Sequence, residues 1–218
     1  MNGIVLITCL ENDFDRMLAA AFSREAFSVF TLGDRPLKGT ACLGDDPGAA
    51  AAALEAKAGK LDFLLDTADS DDPMDCFTIR DGLDDALIER VYRGNVLRSM
   101  AVLEAFLPLL DRGEGKRLFY LTGAKASINE SISKGNFAYN MSKAALHQFL
   151  QMSRNKLASQ GYSFRVYDPM HGKVAPDASA EGAFRYIIRR RGTENHDPLR
   201  DDEENLVFRD ALGRQHPW

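Results

Sequence analysis

The feature that most constrains the fold is the alternation of short apolar runs with longer helical runs along the 218 residues. Strands are predicted at 3–8, 27–32, 61–65, 116–122 and 163–167, with a short last strand at 205–208. Helices are predicted at 13–25, 47–58, 83–110 and 138–159, with Pro108 in the last turns of the third. Strands that alternate with long helices pair in parallel through right-handed crossovers. The pattern therefore predicts a single-domain, three-layer α/β protein with a doubly wound parallel sheet.

In such a fold, ligands bind at the carboxyl ends of the strands, near the point where the strand order reverses. The loops of interest follow Thr8, Leu32, Leu65, Thr122 and Tyr167. The polar segment 189–205 is either a flexible flap or an ordered edge, and the sequence leaves both open.

Composition excludes several classes of function. The net charge of −5 argues against binding to a nucleic-acid backbone. No apolar run approaches the ~18 residues of a membrane span, and the N-terminus lacks the basic start of a signal peptide, so we expect a cytoplasmic protein. The three cysteines are too few for a disulfide framework and lack metal-ligand spacing, and we expect no metal site.

One residue pair carries chemistry. Tyr139 and Lys143 are four positions apart, which places both side chains on one face of a helix. A nearby ammonium group favours the phenolate and lowers the tyrosine pKa, as a proton donor or acceptor at neutral pH requires. Alone the spacing is weak, since chance gives such a pair in roughly a quarter of chains of this composition.

The surrounding residues strengthen it. The run 138–146 (AYNMSKAAL) resembles the active-site helix of the short-chain dehydrogenase/reductase family. Asn95 and the Pro-Leu at 108–109 are similar to that family's helix asparagine and downstream segment. The loop 127–135 and the ending 213–218 resemble the branch that contains C-signal and the sniffer-type carbonyl reductases. The resemblance implies a Rossmann-like fold and NAD(P)-dependent hydride transfer to a small carbonyl or from an alcohol.

It also implies roles for individual residues. Tyr139 is the expected acid/base, Lys143 lowers its pKa and holds the nicotinamide ribose, and Asn95 positions a water in the proton relay. Gly123 falls where the family has its catalytic serine, and the nearby hydroxyls of Thr122 or Ser127 are the candidate substitutes.

The cofactor positions follow from the same resemblance. Asp45 matches an acidic contact to adenine. Asp34 and Arg35 fall where the ribose is recognised and leave NAD against NADP open, since an acid favours the 2′-hydroxyl and a base the 2′-phosphate. Further positions along the cofactor are Thr8, Cys9, Ala68, Lys143 and Pro169.

The departures from the family pattern are concentrated in these cofactor motifs. Cys9, Asp13 and Asp15 replace the three glycines of the first loop, where glycine lets the backbone approach the diphosphate. Like charges ~5 Å apart repel by ~3 kcal/mol at an effective dielectric constant near 20. The family's Asn-Asn-Ala-Gly motif is replaced by the residues at 66–69 (DTAD), and the Gly of its Pro-Gly by Met170.

Structural interpretations stand beside these functional ones. The aspartates of the loop 66–75 are expected to form a solvated surface, and Asp13 and Asp15 to complement the helix dipole. His147 is expected to be a packed residue and His171 a substrate contact at the cleft mouth. Cys9 is either an inert buried thiol or a reactive one at a helix N-terminus.

Two functions therefore remain open. The first is an oxidoreductase acting on a small carbonyl or alcohol through Tyr139, Lys143, Asn95 and Thr122. The second is a pseudo-enzyme, a binding or regulatory module that keeps the fold but has lost productive NAD(P) binding. By analogy with the family we expect a homo-oligomer, a dimer or tetramer, paired through the helices at 83–110 and 138–159.

Overall fold

The computed structural model describes residues 3–33, 37–189 and 205–218. The strands are β1 (Ile4–Ile7), β2 (Ser28–Thr31), β3 (Ala41–Cys42), β4 (Phe63–Asp66), β5 (Arg117–Leu121), β6 (Ser163–Asp168), β7 (Phe208–Asp210) and β8 (Gln215–His216). The helices are α1 (Asp13–Arg24), α2 (Pro47–Ala58), α3 (Asp85–Tyr92), α4 (Arg98–Asp111), α5 (Phe137–Leu157) and α6 (Pro176–Ile188). A π-helical segment, Arg93–Leu97, joins α3 to α4.

Within the described residues, the eight strands form one sheet in the order β3-β2-β1-β4-β5-β6-β7-β8. Strands β1 to β7 pair in parallel, and β7 pairs with β8 in the antiparallel sense. The strand order reverses between β1 and β4, so a cleft opens there at the carboxyl edge of the sheet. The predicted doubly wound, Rossmann-like α/β fold is confirmed.

Two apolar layers hold the helices against the sheet. On one face, α2, α4 and α5 contribute Leu54, Phe106 and Leu146 to the core. On the other, α1 and α6 contribute Phe22 and Phe184, whose ring centroids are 4.9 Å apart in an edge-to-face contact. The parallel strands are buried on both faces, which explains why β1 and β5 are continuous apolar runs without alternation.

Three elements were not predicted, and one was misplaced. α6, β3 and β8 were missed, the two strands because each has only two residues. The strand expected at 205–208 instead starts at Phe208, where pairing with Val166 of β6 begins. The helix expected over 83–110 is interrupted by the π segment, which no periodicity signals.

Candidate functional site

The Tyr139–Lys143 pair lies at the start of α5, against the carboxyl ends of β4 and β5. Lys143 is fully buried, and its Nζ donates to the carbonyl oxygens of Ala68 (2.8 Å) and Leu121 (3.3 Å). The same Nζ is 5.7 Å from the centroid of the Tyr139 ring. The structure thus brings the two residues together at the predicted edge of the sheet.

A third side chain, Asp69, connects them. The Tyr139 hydroxyl donates to Oδ1 of Asp69 at 2.9 Å, and Nζ of Lys143 is 3.0 Å from that same oxygen. Nε2 of His171 is 3.9 Å from the other carboxylate oxygen. The Asp69 side chain is only 18% exposed, so the expectation of a solvated surface is wrong for this residue.

This contact changes the acid–base properties of the tyrosine. Burial, followed by the negative charge of Asp69 and the hydrogen bond to it, raises the pKa of Tyr139 well above its ordinary value. The net shift is thus opposite to the one expected beside a lone ammonium group, because Asp69 pairs with Lys143 and also accepts the hydrogen bond of the protonated phenol.

The loop carrying Asp69 is fastened at several points. The Asp66 carboxylate accepts from the Thr8 hydroxyl at 2.7 Å, next to the end of β1. At the other end, the buried Asp75 carboxylate accepts from the backbone N–H groups of Ala138 (3.3 Å) and Tyr139 (2.9 Å). Asp75 thereby caps α5 from outside, since Asn136, at the N-cap, makes no side-chain cap. The loop from Asp66 to Asp75, called the acidic strap below, is a built part of the site.

Asn95, the expected water-positioning residue, contacts this strap. It is fully buried in the π segment, accepts from Ser70 N–H at 2.7 Å and donates to Ser70 C=O at 2.8 Å. Its amide also donates to Ser142 Oγ at 2.9 Å. The side-chain amide of Asn95 is thus engaged by the residue next to Asp69.

The hydroxyls considered as substitutes for the catalytic serine have other contacts. Thr122 is hydrogen-bonded to Nε2 of His147, inside the layer packed against α5. Ser127 is buried and its Oγ accepts from Glu130 N–H. A Cβ built on Gly123 would lie 3.2 Å from the Tyr139 hydroxyl, which supports Gly123 as the serine's position. Among the described residues, the Tyr139 hydroxyl is hydrogen-bonded to Asp69 and to no serine or threonine hydroxyl, and Thr122 is bonded to His147 instead.

At the other end of the cleft, the start of α1 is closed by its own side chains. Asn12 accepts from Asp15 N–H, and Oδ2 of Asp15 accepts from the N–H groups of Glu11 (3.1 Å) and Asn12 (3.2 Å). This reciprocal arrangement is a capping box. It engages N–H groups at a helix start, the kind of position where anions bind.

Asp13 and Asp15 do not form a pair of free carboxylates at the start of α1, as their sequence positions had suggested. Asp13 is exposed and paired with Arg16 at 2.8 Å, so it does not face the cleft as an isolated charge. Asp15 is fully buried, and burial raises its pKa to about 7. Repulsion by two carboxylates is thus the smaller obstacle to a bound diphosphate. The larger one is that the N–H groups at this helix start are already hydrogen-bonded to side chains of the protein.

A cavity of about 600 Å³ connects the two ends. Its lining includes four of the residues that the resemblance places along the cofactor: Thr8, Cys9, Ala68 and Asp45. The Asp45 carboxylate is 2.7 Å from the Arg98 guanidinium. The other acidic residues in the lining of the cavity are Glu11, Asp69 and Asp71.

The remaining cofactor positions fall outside this cavity. Pro169 does not line it, and its carbonyl oxygen accepts from Ser179 Oγ. Asp34 and Arg35 lie outside the described residues.

Cys9 lies in the lining of the cavity and is partly exposed. Burial, reinforced by the negative charge of Asp66, raises its pKa to about 12. This shift favours the protonated thiol over the reactive thiolate.

The groups in this cleft that could hold a dinucleotide cofactor are already engaged within the protein. The two groups that the resemblance assigns to the nicotinamide ribose, Tyr139 and Lys143, are both bound to Asp69. N–H groups at the α1 start are bound to Asn12 and Asp15. The residues as arranged do not fit the cofactor. Among the described residues there is also no cluster of three potential metal ligands and no helix able to cross a membrane.

Comparisons with known proteins agree on the scaffold. C-signal of Myxococcus xanthus is 31% identical over 146 residues, which cover 62% of this chain and 81% of that protein. The 1-hydroxy-2-glutathionyl-2-methyl-3-butene dehydrogenase of Rhodococcus sp. (strain AD45) is 32% identical over 107 residues, 48% of this chain and 46% of that enzyme. No family model matches the chain.

Solved structures match over the whole chain. Carbonyl reductase Sniffer of D. melanogaster superimposes with a TM-score of 0.82 at 18% identity, covering 100% of both chains. A short-chain dehydrogenase/reductase from Burkholderia multivorans with bound NADP gives 0.79 at 19% identity, covering 99% of both.

Proposed function

Since the chain belongs to the short-chain dehydrogenase/reductase family, we propose that it is a non-catalytic member, a binding module that keeps the fold and does not take up NAD(P) in the family manner. The observation that carries this proposal is the Asp69 carboxylate held between the Tyr139 hydroxyl and Lys143 Nζ. A carboxylate in that place uses the hydrogen bonds and the positive charge that a bound ribose would need.

Two further features support it. The α1 N-terminus is capped by Asp15, a buried residue whose contacts leave fewer free N–H groups for a diphosphate. Gly123 stands at the serine's position, so a substrate carbonyl next to Tyr139 would lack that hydroxyl. The groups that would bind the cofactor ribose, the diphosphate and the substrate carbonyl are thus all engaged or missing. This favours a pseudo-enzyme over a slow enzyme.

The test is a cofactor titration of the purified chain. NADH and NADPH are added up to millimolar concentrations while the cofactor fluorescence and the thermal unfolding temperature are followed. A ligand at 100 times its Kd stabilises a protein by ~2.7 kcal/mol, so true binding would be visible. We expect no saturable change with either cofactor, and a saturable one would overturn the proposal.

The second candidate is an NAD(P)-dependent reductase of small carbonyl compounds. The observation in its favour is the cavity of about 600 Å³, which ends next to a correctly spaced Tyr139–Lys143 pair. For this function Asp69 must move away when the cofactor enters. Carbonyl-dependent NADPH oxidation that Tyr139→Phe abolishes, with cofactor affinity unchanged, would establish this candidate and exclude the first.

We propose a cytoplasmic homo-oligomer that pairs through α4 and α5, because the half-exposed Met100, Met141 and Met152 lie on these helices. Light scattering after size-exclusion chromatography tests the assembly, and a monomer at micromolar concentration would contradict it. The names of the relatives fit both candidate functions, since one protein is called C-signal and the other a dehydrogenase.

A further inference from the structure

His216, in β8, lies between two carboxylates that belong to different parts of the chain. Its Nδ1 is 2.8 Å from Oε2 of Glu130, in the loop 127–135, and its Nε2 is 3.0 Å from Oδ2 of Asp210, the last residue of β7. A carboxylate accepts hydrogen bonds and donates none, so both ring nitrogens must carry a proton. The geometry therefore requires the charged imidazolium form of His216.

The two carboxylates differ in how firmly they are held. Asp210 is buried, its Oδ1 accepts from the backbone N–H groups of Leu212 and Arg214, both at 2.9 Å, and its Oδ2 accepts from Nε of Arg214 at 2.7 Å. The Glu130 side chain is 46% exposed, and among the described residues it is bonded to His216 alone. A neutral ring keeps one N–H, which stays on the buried Asp210, because the exposed Glu130 can be hydrated instead. Loss of the ring's charge therefore breaks the bond to Glu130.

The loop 127–135 has a second connection to the same region, which involves no titratable side chain. The backbone N–H (3.3 Å) and Nδ2 (2.7 Å) of Asn129 both donate to the main-chain oxygen of Trp218. The Trp218 ring packs edge-on against His147 of α5, with ring centroids 4.7 Å apart. The loop is thus held by one bond that depends on a proton and by a pair of bonds that does not.

We propose that His216 is a pH-sensitive latch, which ties the loop 127–135 to the β7–β8 hairpin while its ring is charged and releases Glu130 when the ring loses its charge. The loop leads directly into α5 and carries Ile128 and Ile132, which are 82% and 93% exposed. The latch therefore sets how firmly an exposed apolar segment is held beside the start of α5. It acts on this loop and not on the cleft, so it goes beyond the proposed function and does not depend on it.

The charged groups around the ring give the direction of the pH dependence. Burial lowers the pKa of His216, but the hydrogen bonds to Glu130 and Asp210 outweigh it, so the pKa lies above its ordinary value of 6.5. The Arg214 guanidinium pairs with Asp210 from the turn between β7 and β8, and His147 of α5 stays neutral, because burial lowers its pKa to about 3. The latch is therefore complete below pH 6.5 and is lost as the pH rises through the raised pKa of His216.

The experiment compares amide exchange of the peptide 127–135 in variant and unchanged protein at the same pH, so that the intrinsic pH dependence of exchange cancels. Glu130→Gln keeps an oxygen acceptor and removes the charge that pairs with the imidazolium. We expect it to exchange about tenfold faster than the unchanged protein at about pH 6, and at nearly the same rate at about pH 9, where the latch is already released. His216→Gln should behave in the same way.

The matched control is Asn129→Ala, which removes one bond of the connection that carries no titratable side chain. Its exchange should be faster than that of the unchanged protein by the same factor at both pH values. NMR of the His216 ring, assigned from the spectrum of His216→Gln, follows the titration directly. We expect a midpoint above 6.5 that falls by about one pH unit in Glu130→Gln and is unchanged in Asn129→Ala.

Two results would overturn the proposal. The first is a ratio of exchange rates, Glu130→Gln to unchanged protein, that is the same at both pH values. The second is a His216 midpoint at or below 6.5, since the ring would then not be held in its charged form by the two carboxylates. Neither measurement involves NADPH, so the cofactor titration can refute the proposed function while the latch persists, and the reverse.

Discussion

The two ends of the cleft depart from the family in different ways. At the α5 end, Tyr139 and Lys143 are kept, and one carboxylate, that of the cavity-lining Asp69, uses their hydrogen bonds. At the α1 end the glycines themselves are gone, and Asn12 and Asp15 have become part of a helix cap. The α5 end is closed by a single side chain, whereas at the α1 end the loop residues now form the cap of the helix.

The difference teaches how reversible each loss is. A side chain can be removed without changing the backbone that presents Tyr139 and Lys143. The helix cap cannot be removed in this way, because the side chains that bind the N–H groups also stabilise the start of α1.

Removing the carboxylate at the α5 end should destabilise the protein strongly. Asp69→Ala leaves the fully buried Lys143 ammonium with carbonyl oxygens alone, and we expect the free energy of unfolding to fall by about 3 kcal/mol. Urea denaturation measures it. In the double variant with Lys143→Met the loss should be smaller than the sum of the single losses. Strict additivity would show that the two side chains do not form a coupled pair.

The α1 end should respond to pH. The pKa of Asp15 is raised from 3.8 to about 7 in the folded protein, so between these values the folded state binds more protons than the unfolded one. Its contribution to stability is therefore present below 3.8 and is lost as the pH rises through about 7.

Asp15→Asn keeps an acceptor for the cap and removes this titration. We expect the unfolding free energy of the unchanged protein, relative to Asp15→Asn, to fall by roughly 2–4 kcal/mol across that window. Urea denaturation at a series of pH values measures it. Parallel pH profiles for the two proteins would contradict the buried, proton-binding state of Asp15.

Cofactor binding should separate the two ends. Asp69→Gly restores the glycine of the family motif and frees Tyr139 and Lys143, and we expect saturable NADPH binding in this variant where the unchanged protein shows none. Asp15→Gly should gain much less, because it unravels the cap it opens. Fluorescence titration measures both affinities.

Asp71→Gly is the matched control, since it removes the same charge from the same strap and cavity without a hydrogen bond to the pair. A gain in Asp71→Gly equal to that of Asp69→Gly would mean that general charge, and not the contact, excludes the cofactor. An equal gain in NADPH affinity in Asp15→Gly would show that the two ends of the cleft do not differ in this respect.

The smallest effect concerns Thr122. Burial lowers the pKa of its partner His147 to about 3, so His147 is neutral in the folded state. The stability this provides is present above the ordinary value of 6.5 and is lost as the pH falls below it. Thr122→Val should cost about 1 kcal/mol and leave the Tyr139 titration unchanged. A shift of the Tyr139 titration in Thr122→Val, followed by NMR of labelled tyrosine, would show that Thr122 acts on Tyr139 and belongs to the site.

The elements that the sequence predicted best were those with a local signal. Pro47 at a helix start and the apolar runs of β1 and β5 fix their elements, because proline geometry and double-sided burial act within a few residues. α6 was missed although it begins with Pro176 and buries Phe184. The π segment could not be predicted, since it forms where Asn95 and Gly94 meet a strap that is distant in sequence.

The sequence predicted which residues form the candidate site, but not the hydrogen bonds and ion pairs that link them to the acidic strap. Tyr139, Lys143 and Gly123 are found together, as their resemblance to the family implied. Asp69, Ser70 and Asp75 were treated as surface, because a run of aspartates is ordinarily solvated. The density of acids at 66–75 directly after a buried strand was the signal that could have marked them, since that position lies at the carboxyl edge of the sheet.

The sequence by itself determined the parallel sheet, the helix that carries Tyr139 and Lys143, and the loss of the first-loop glycines, since each depends on residues close together in the chain. Only the tertiary structure decided that the lysine's charge is neutralised internally, because Asp69 precedes its partners by 70 or more positions and meets them at the carboxyl edge of the sheet. An ion pair depends on distance in space, and distance in space between remote residues is set by how the whole sheet is wound.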